Sequence, residues 1–90
     1  MVQIKASKPI ENLKKGDMVK IDGRAYEVDA QVVLIDHGKT KEMGIELFDP
    51  KTDIDYQLRY FDDQAEETLE FYELVKGVMY QTRACEKIEW

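Results

Sequence analysis

The side chains that could do catalytic or metal chemistry are few and stand apart in this 90-residue sequence. His37 is its single histidine and Cys85 its single cysteine. A metal site needs several ligands at close spacing, and no Cys/His cluster accompanies His37. A catalytic histidine needs a nucleophile or a paired carboxylate beside it, but Asp36 would point to the opposite face of a strand. We therefore predict no catalytic residue, no metal site and no cofactor, with His37 in an exposed loop.

Cys85 and the glycines lead to the same conclusion for nucleophilic and phosphate chemistry. Arg83 is too weak a signal to mark Cys85 as reactive, so we interpret Cys85 as a half-buried strand residue. The five glycines fall singly, which argues against a phosphate-binding loop. One cysteine cannot form an intrachain disulfide, and the sequence has neither a secretion signal nor a run of about 20 apolar residues. We expect a cytoplasmic, non-enzymatic protein without membrane contact.

The charge of the chain is divided unevenly along its length. Residues 1–41 carry a net charge of +2 and residues 42–90 a net charge of −8, which together give −6. An acidic protein repels phosphate at long range, but a local basic patch still binds it. Five basic side chains in or beside loops are the candidate nucleic-acid ligands, and we expect them at one end of the fold: Lys14, Lys15, Arg24, Lys39 and Lys41.

The aromatic residues favour a second hypothesis. Most of them lie in the acidic half, where RNA would be repelled, and this placement suits a core or a protein-contact surface. They are Tyr56, Tyr60, Phe61, Phe71, Tyr72, Tyr80 and Trp90. The alternative to RNA binding is therefore a protein–protein interaction module that uses the acidic, aromatic carboxyl-terminal half.

These residues must be positioned by β-strands. Met18–Ile21 and Arg24–Val28 flank Asp22-Gly23, a pair typical of a two-residue hairpin turn in which both residues have positive φ. The second strand continues to Ile35, and its apolar parity changes between Val32 and Val33, which indicates a bulge. Val2–Ala6 alternates as a first edge strand.

The alternation of apolar and polar residues in the rest of the chain predicts further strands. Glu42–Asp49 should face Met43, Ile45 and Leu47 inward, and the strand from Ile54 should face Ile54, Tyr56, Leu58 and Tyr60 inward. After the acidic residues 62–67 we predict a second hairpin turned by Lys76-Gly77. Its core-facing residues would be Leu69, Phe71, Val78, Tyr80 and Ala84. A helix over Glu66–Leu74 is the alternative.

Several of these segments resemble the amino-terminal domain of the elongation factor P and translation initiation factor 5A family. They are Leu13–Asp17, Ile21–Gly23, Tyr26–Val28, Gly44–Phe48 and Pro50–Thr52, so the resemblance covers about residues 13–61. It implies a small SH3-like β-barrel and contact with RNA or a ribosome-associated component. The whole chain is then one all-β domain, 1–90, of five to seven strands, with residues 66–90 forming an added hairpin.

The same resemblance raises the question of lysine modification. In the family, a lysine at the tip of a Pro-Gly-Lys-Gly loop is enzymatically extended, and His37–Thr40 stands in the corresponding place. The resemblance implies Lys39 as the modified residue. The Lys-x-x-Gly-His-Ala context of the hypusine-bearing members is absent, so we expect Lys39 to be unmodified.

Overall fold

The chain folds into one eight-stranded sheet, and the computed structural model describes residues 2–90. The strands are β1 (Gln3–Lys5), β2 (Met18–Ile21), β3 (Arg24–Asp36), β4 (Lys41–Phe48), β5 (Asp55–Phe61), β6 (Glu70–Val75), β7 (Met79–Arg83) and β8 (Lys87–Glu89). A 3-10 helix (Ile10–Asn12) and one α-helical turn, α1 (Ala65–Thr68), complete the fold. The all-β prediction is confirmed, although eight strands exceed the predicted five to seven.

The strand order is β1-β8-β2-β3-β4-β5-β6-β7, so β2 to β7 form a continuous antiparallel meander. Strand β8 returns across the molecule to pair antiparallel with β2 and parallel with β1. The predicted added hairpin is therefore only part of the carboxyl-terminal architecture, because Lys87–Glu89 joins the opposite side of the sheet. The prediction that β1 is an edge strand is confirmed.

Both predicted hairpin turns form where the sequence indicates them. Asp22 and Gly23 have φ of 51° and 84°, and Lys76 and Gly77 have φ of 55° and 68°. Positive φ at both central positions is the geometry whose twist matches that of the flanking strands. The strand interpretation of Glu66–Leu74 also prevails, since β6 begins at Glu70 and the preceding helix lasts four residues.

Two bulges bend β3, the longest strand. The register to β4 shifts between Val28 and Ala30 and again between Val33 and Ile35. A bulge reverses the face on which the following side chains lie, and the prediction that β3 contains a bulge is confirmed. Its predicted position between Val32 and Val33 is wrong, because these two residues pair in regular register and the second shift falls between Val33 and Ile35. That shift places Ile35 opposite Glu42, on the face away from the core.

The core covers the inner face of the curved sheet. Its fully buried residues include Val28, Ile45, Leu58 and Ile88, each 0% exposed. Three inner rings pack together, with Tyr26 4.8 Å from Tyr56 and 5.7 Å from Phe71 between centroids. The predicted inward positions Ile45, Leu47, Tyr56, Leu58, Tyr60, Leu69 and Phe71 are confirmed as buried, and Met43 is half-buried.

Four predicted core positions are wrong. Ile54 precedes β5 and is 39% exposed, and Val78 follows the Lys76-Gly77 turn and is 83% exposed, because both lie beyond the ends of the paired strands. Ala84 follows the end of β7 and is exposed. Tyr80 opposes Leu74, which lies three residues after the inward-facing Phe71 and therefore on the other face of β6. The side chain of Tyr80 accordingly lies on the outer face.

No helix within residues 2–90 is long and apolar enough to cross a membrane.

Candidate binding surfaces

Strand β3 separates the basic residues that the sequence singled out. Arg24 begins this 13-residue strand, and the loop that holds Lys39 follows its other end. Two bulges bend the strand between them. The expectation that all five basic residues lie at one end of the fold stays a prediction.

Each part of that basic set has its own acidic surroundings. Arg24 Nη1 lies 3.7 Å from Oδ2 of Asp49, a carboxylate that is 2% exposed. The Lys41 backbone N–H donates to Asp62 Oδ1 at 2.9 Å, and Thr40 donates to Asp63 at 3.2 Å. Lys39 is exposed at the tip of the loop between β3 and β4.

Lys14 and Lys15 are exposed in the turn before β2. Asp17 accepts a 2.7 Å bond from Lys8 Nζ and a 3.0 Å bond from the Lys14 backbone N–H. These two donors, the Lys8 ammonium foremost, hold the pKa of Asp17 below its usual value. The Asp17 carboxylate thus stabilises this turn. RNA contact by the five basic residues stays a prediction.

The outer face of β4 to β7 carries a polar and aromatic group, of which the sequence analysis singled out only Tyr72 and Tyr80. Directly opposed residues of antiparallel strands point to the same face. Glu46 opposes Gln57, Gln57 opposes Tyr72, and Tyr72 opposes Thr82, which forms one row across four strands. Arg59 and Tyr80 lie in the adjoining rows. We call Glu46, Gln57, Arg59, Tyr72 and Tyr80 the outer-face cluster.

Hydrogen bonds join the cluster into one unit. Glu46 accepts from Gln57 Nε2 at 2.8 Å through one oxygen and from the Tyr80 hydroxyl at 3.0 Å through the other. Gln57 Oε1 in turn accepts from Arg59 Nε at 2.5 Å. The Arg59 guanidinium lies over the Tyr72 ring at 4.1 Å and near the Tyr80 ring at 5.4 Å, close enough for cation–π attraction.

Gln57 is only 2% exposed although its side chain lies away from the core. A Cβ added at Gly44 would lie 3.0 Å from Leu34 Cγ and 3.1 Å from Gln57 Nε2. Leu34, at the second bulge of β3, therefore closes over Gly44 and covers one side of the amide. The bulge and the glycine thus allow Leu34 to shield one side of the Gln57 amide from water.

The tyrosines of the cluster are neutral at ordinary pH. Burial, followed by the hydrogen bond to Glu46, raises the pKa of Tyr80 to about 12. Burial and the nearby Glu70 carboxylate raise the pKa of Tyr72. The Tyr80 hydroxyl therefore stays protonated and is the donor of the hydrogen bond to Glu46.

A groove lies on the same outer face at the other side of the sheet, over β1, β8 and β2. It encloses about 350 Å³ and is lined by Lys5, Ala6, Ser7, Met18, Lys20, Glu89 and Trp90. We call it the Trp90 groove. Lys5 and Lys20 lie on either side of Glu89, because both residues oppose it in the sheet.

His37 and Cys85, for which the sequence predicts no catalytic or metal role, lie in different connections between strands. His37 is exposed in the β3–β4 loop, with its ring 6.2 Å from that of Phe61. Cys85 is half-buried, as predicted, but lies in the connection between β7 and β8 and not in a strand. Burial raises the pKa of its thiol. Across residues 2–90, no three or more His, Cys, Asp and Glu side chains are grouped to hold a metal ion.

Comparison with known proteins gives a partial match. The chain is 49% identical over 41 residues to a protein of Aquifex aeolicus (strain VF5) described as an uncharacterized protein, a match that covers 46% of this chain and 23% of that protein. No family model matches the chain. No solved structure matches it either. The resemblance to the elongation factor P and translation initiation factor 5A family stays a prediction.

Proposed function

We propose that the protein is a non-enzymatic module that binds a protein partner through the outer-face cluster. The observation that carries the proposal is the position of Arg59 beside Tyr72 and Tyr80, held by a buried amide on the face that the core does not use. Tyrosine and arginine are enriched at the energetic centres of protein interfaces. Their geometry here is fixed before binding, which lowers the entropy cost of association.

Apolar side chains around the cluster support the same proposal. Val32 is 39% exposed and Ile35 is 49% exposed, and both oppose outer-face positions of β4. Leu74 and Phe61 are half-buried at the borders of the same face. An apolar surface that surrounds an aromatic centre excludes water from it when a partner docks.

The test compares two serine variants of immobilised protein in extracts of the native host. Tyr72→Ser removes an anchor of the cluster, and Val78→Ser makes a similar polar change at an exposed hairpin tip. We expect a discrete protein to be retained by the wild type and by Val78→Ser but lost by Tyr72→Ser. With that partner purified, calorimetry should give a Kd at least about tenfold weaker for Tyr72→Ser, while Tyr72→Phe stays near wild type. Equal retention by both serine variants contradicts the proposal.

An SH3-like barrel and a cytoplasmic location are further parts of the proposal. The inner-face packing of Tyr26 in β3 against Phe71 in β6 supports curling of the sheet toward closure. An experimental structure in which β7 and the β1–β8 pair approach across the gap would establish the barrel, and widely separated edges would exclude it. The single Cys85 suits a reducing compartment, which fractionation of the native host would test.

RNA contact through Lys14, Lys15, Arg24, Lys39 and Lys41 is the other function predicted from the sequence. Its support is the charge of these side chains, of which Lys14, Lys15, Arg24 and Lys39 are exposed, while Lys41 begins β4 two residues after Lys39. Changing Lys39 and Lys41 to Glu should weaken binding of single-stranded RNA if this prediction is correct. Modification of Lys39 is tested separately by the intact mass of protein from the native host, where we expect no added mass.

A further inference from the structure

We infer that the Trp90 groove is a binding site for single-stranded nucleic acid, in which a base stacks on Trp90 and the adjoining phosphates contact Lys5 and Lys20. This site contains none of the five basic residues singled out from the sequence. It is also independent of the protein interface proposed above, because it lies over β1, β8 and β2 and not over β4 to β7.

Trp90 is held in place from three directions. Its backbone N–H donates to the Lys5 carbonyl at 3.1 Å, and its carbonyl accepts from Ser7 at 2.8 Å. Its indole Nε1–H donates to the Lys8 carbonyl at 2.7 Å. Trp90 is half-buried and packs against the core, and it is one of the residues that line the groove, together with Met18, which is 46% exposed. A fixed indole beside an exposed thioether is an apolar platform of the kind on which bases stack.

The cations of the groove are available to a ligand. Glu89 Oε1 lies 2.9 Å from Lys87 Nζ, and this hydrogen bond together with Lys5 and Lys20 holds the pKa of Glu89 below its usual value. Three lysines therefore surround the side-chain carboxylate of Glu89. Neither Lys5 nor Lys20 lies within ion-pair distance of an acidic side chain in the described residues 2–90.

The combination of ring and charge selects the ligand class. An anionic lipid surface or an acidic peptide would use the lysines but would leave the concave space beside the indole unmatched. A nucleotide chain supplies planar bases and phosphates together. The groove volume of about 350 Å³ is at the lower end of the range typical of small-molecule sites.

The test uses the intrinsic fluorescence of Trp90, which is the only tryptophan of the chain. We titrate the full chain at low salt with a short oligouridylate and, in parallel, with inorganic polyphosphate of the same charge. Stacking should quench the fluorescence with the RNA, whereas polyphosphate should bind more weakly and quench little. Two phosphate contacts predict a log–log salt slope of about −1.4.

Charge-matched double variants locate the site. Changing Lys5 and Lys20 to Glu should weaken RNA binding at least about tenfold, whereas the same change at Lys39 and Lys41 should alter it less than about twofold. Trp90→Leu, followed with labelled RNA, should weaken binding about fivefold or more because the stacking platform is lost. Unfolding midpoints measured beside each titration confirm that the variants are folded.

Three results would overturn the inference. They are absence of quenching at low salt, equal affinity and quenching with polyphosphate, and equal loss in the two charge-reversed variants, which would reduce the effect to net charge. If a variant at Lys5 and Lys20 does not fold, replacing the same residues with Gln provides the substitute, with the same expected direction.

Discussion

The Trp90 groove and the outer-face cluster lie on the same face of one sheet but use their charges differently. In the groove, Lys5 and Lys20 flank a carboxylate that is already bound by Lys87. In the cluster, the single cation Arg59 is hydrogen-bonded to Gln57 and covered by Tyr72. Folding thus leaves the groove with free cations for a salt-sensitive ligand, whereas it satisfies the cluster internally and leaves a rigid aromatic surface for partner contact.

Alkaline pH should produce the largest effect, and it should act on the whole fold through the core residue Tyr60 as well as on the cluster through Tyr80. The pKa of Tyr80 and that of the buried Tyr60 are raised to about 12. The folded state holds these protons more tightly than the unfolded state, where tyrosine ionises near pH 10, so stability is complete below pH 10 and is lost as pH rises toward 12. Tyr60, 1% exposed, accounts for about 3 kcal/mol of this loss.

Phenolate absorbance and the fluorescence of Trp90, followed together against pH, test this prediction. All phenolate formation by Tyr60 should coincide with unfolding, and Tyr80→Phe should reduce the alkaline loss of stability. Full ionisation of the five tyrosines near pH 10 in a folded protein would contradict the account.

Gln57→Ala should be the most destabilising substitution on the outer face. It removes the amide that joins Glu46 to Arg59 and opens space beneath Leu34. The expected loss is about 2–3 kcal/mol, since charged groups lose a partner at a site shielded from water. Urea unfolding measures it, with the exposed Gln64→Ala as the matched control at less than about 0.5 kcal/mol. A small change at Gln57 would mean that the cluster is not a cooperative unit.

Gly44→Ala should cost less, about 1–2 kcal/mol, although alanine is ordinarily better than glycine within a strand. The new methyl group would lie 3.0 Å from Leu34 Cγ and would force it away from Gln57. The same urea titration measures the change, and Tyr72 and Tyr80 resonances should shift while those of the groove do not. A stabilised variant would show that Leu34 yields without effect on the cluster.

Asp17→Asn should give the smallest effect and should act near the basic residues. The pKa of Asp17 is lowered by Lys8 and by the Lys14 backbone N–H. A lowered pKa adds stability above the ordinary value near 3.8, and that stability is lost as pH falls through the lowered pKa. Thermal unfolding between pH 6 and about pH 3 should therefore show a shallower acid slope for the variant. An unchanged slope would show that the exposed ion pair adds nothing.

Local signals predicted the parts of the fold that depend on neighbours in sequence. Asp22-Gly23 and Lys76-Gly77 mark their turns because both positions need positive φ. The parity change after Val32 indicates a bulge in β3 but not its position, since the register shifts fall between Val28 and Ala30 and between Val33 and Ile35. The core prediction for Tyr80 is wrong because the register of β7 depends on how its turn closes, which alternation alone does not give.

Both binding surfaces arise from pairings that have no local signal. The Trp90 groove needs the two ends of the chain side by side, with Trp90 bonded to Lys8, 82 residues away. The outer-face cluster needs Glu46, Gln57 and Tyr72 aligned across three strands. A pattern of alternation identifies which residues leave the core face, but only the sheet order shows which of them meet.

An amide-resolved NMR titration with the oligouridylate tests the separation of the two surfaces most directly. The account predicts that the Trp90 indole N–H and the amides of Lys5 and Lys20 shift together with one Kd. Signals of Tyr72, Tyr80 and the Arg59 guanidinium should stay unchanged throughout. Shifts that begin at the cluster, or at Arg24, Lys39 and Lys41 with Trp90 unaffected, would contradict it.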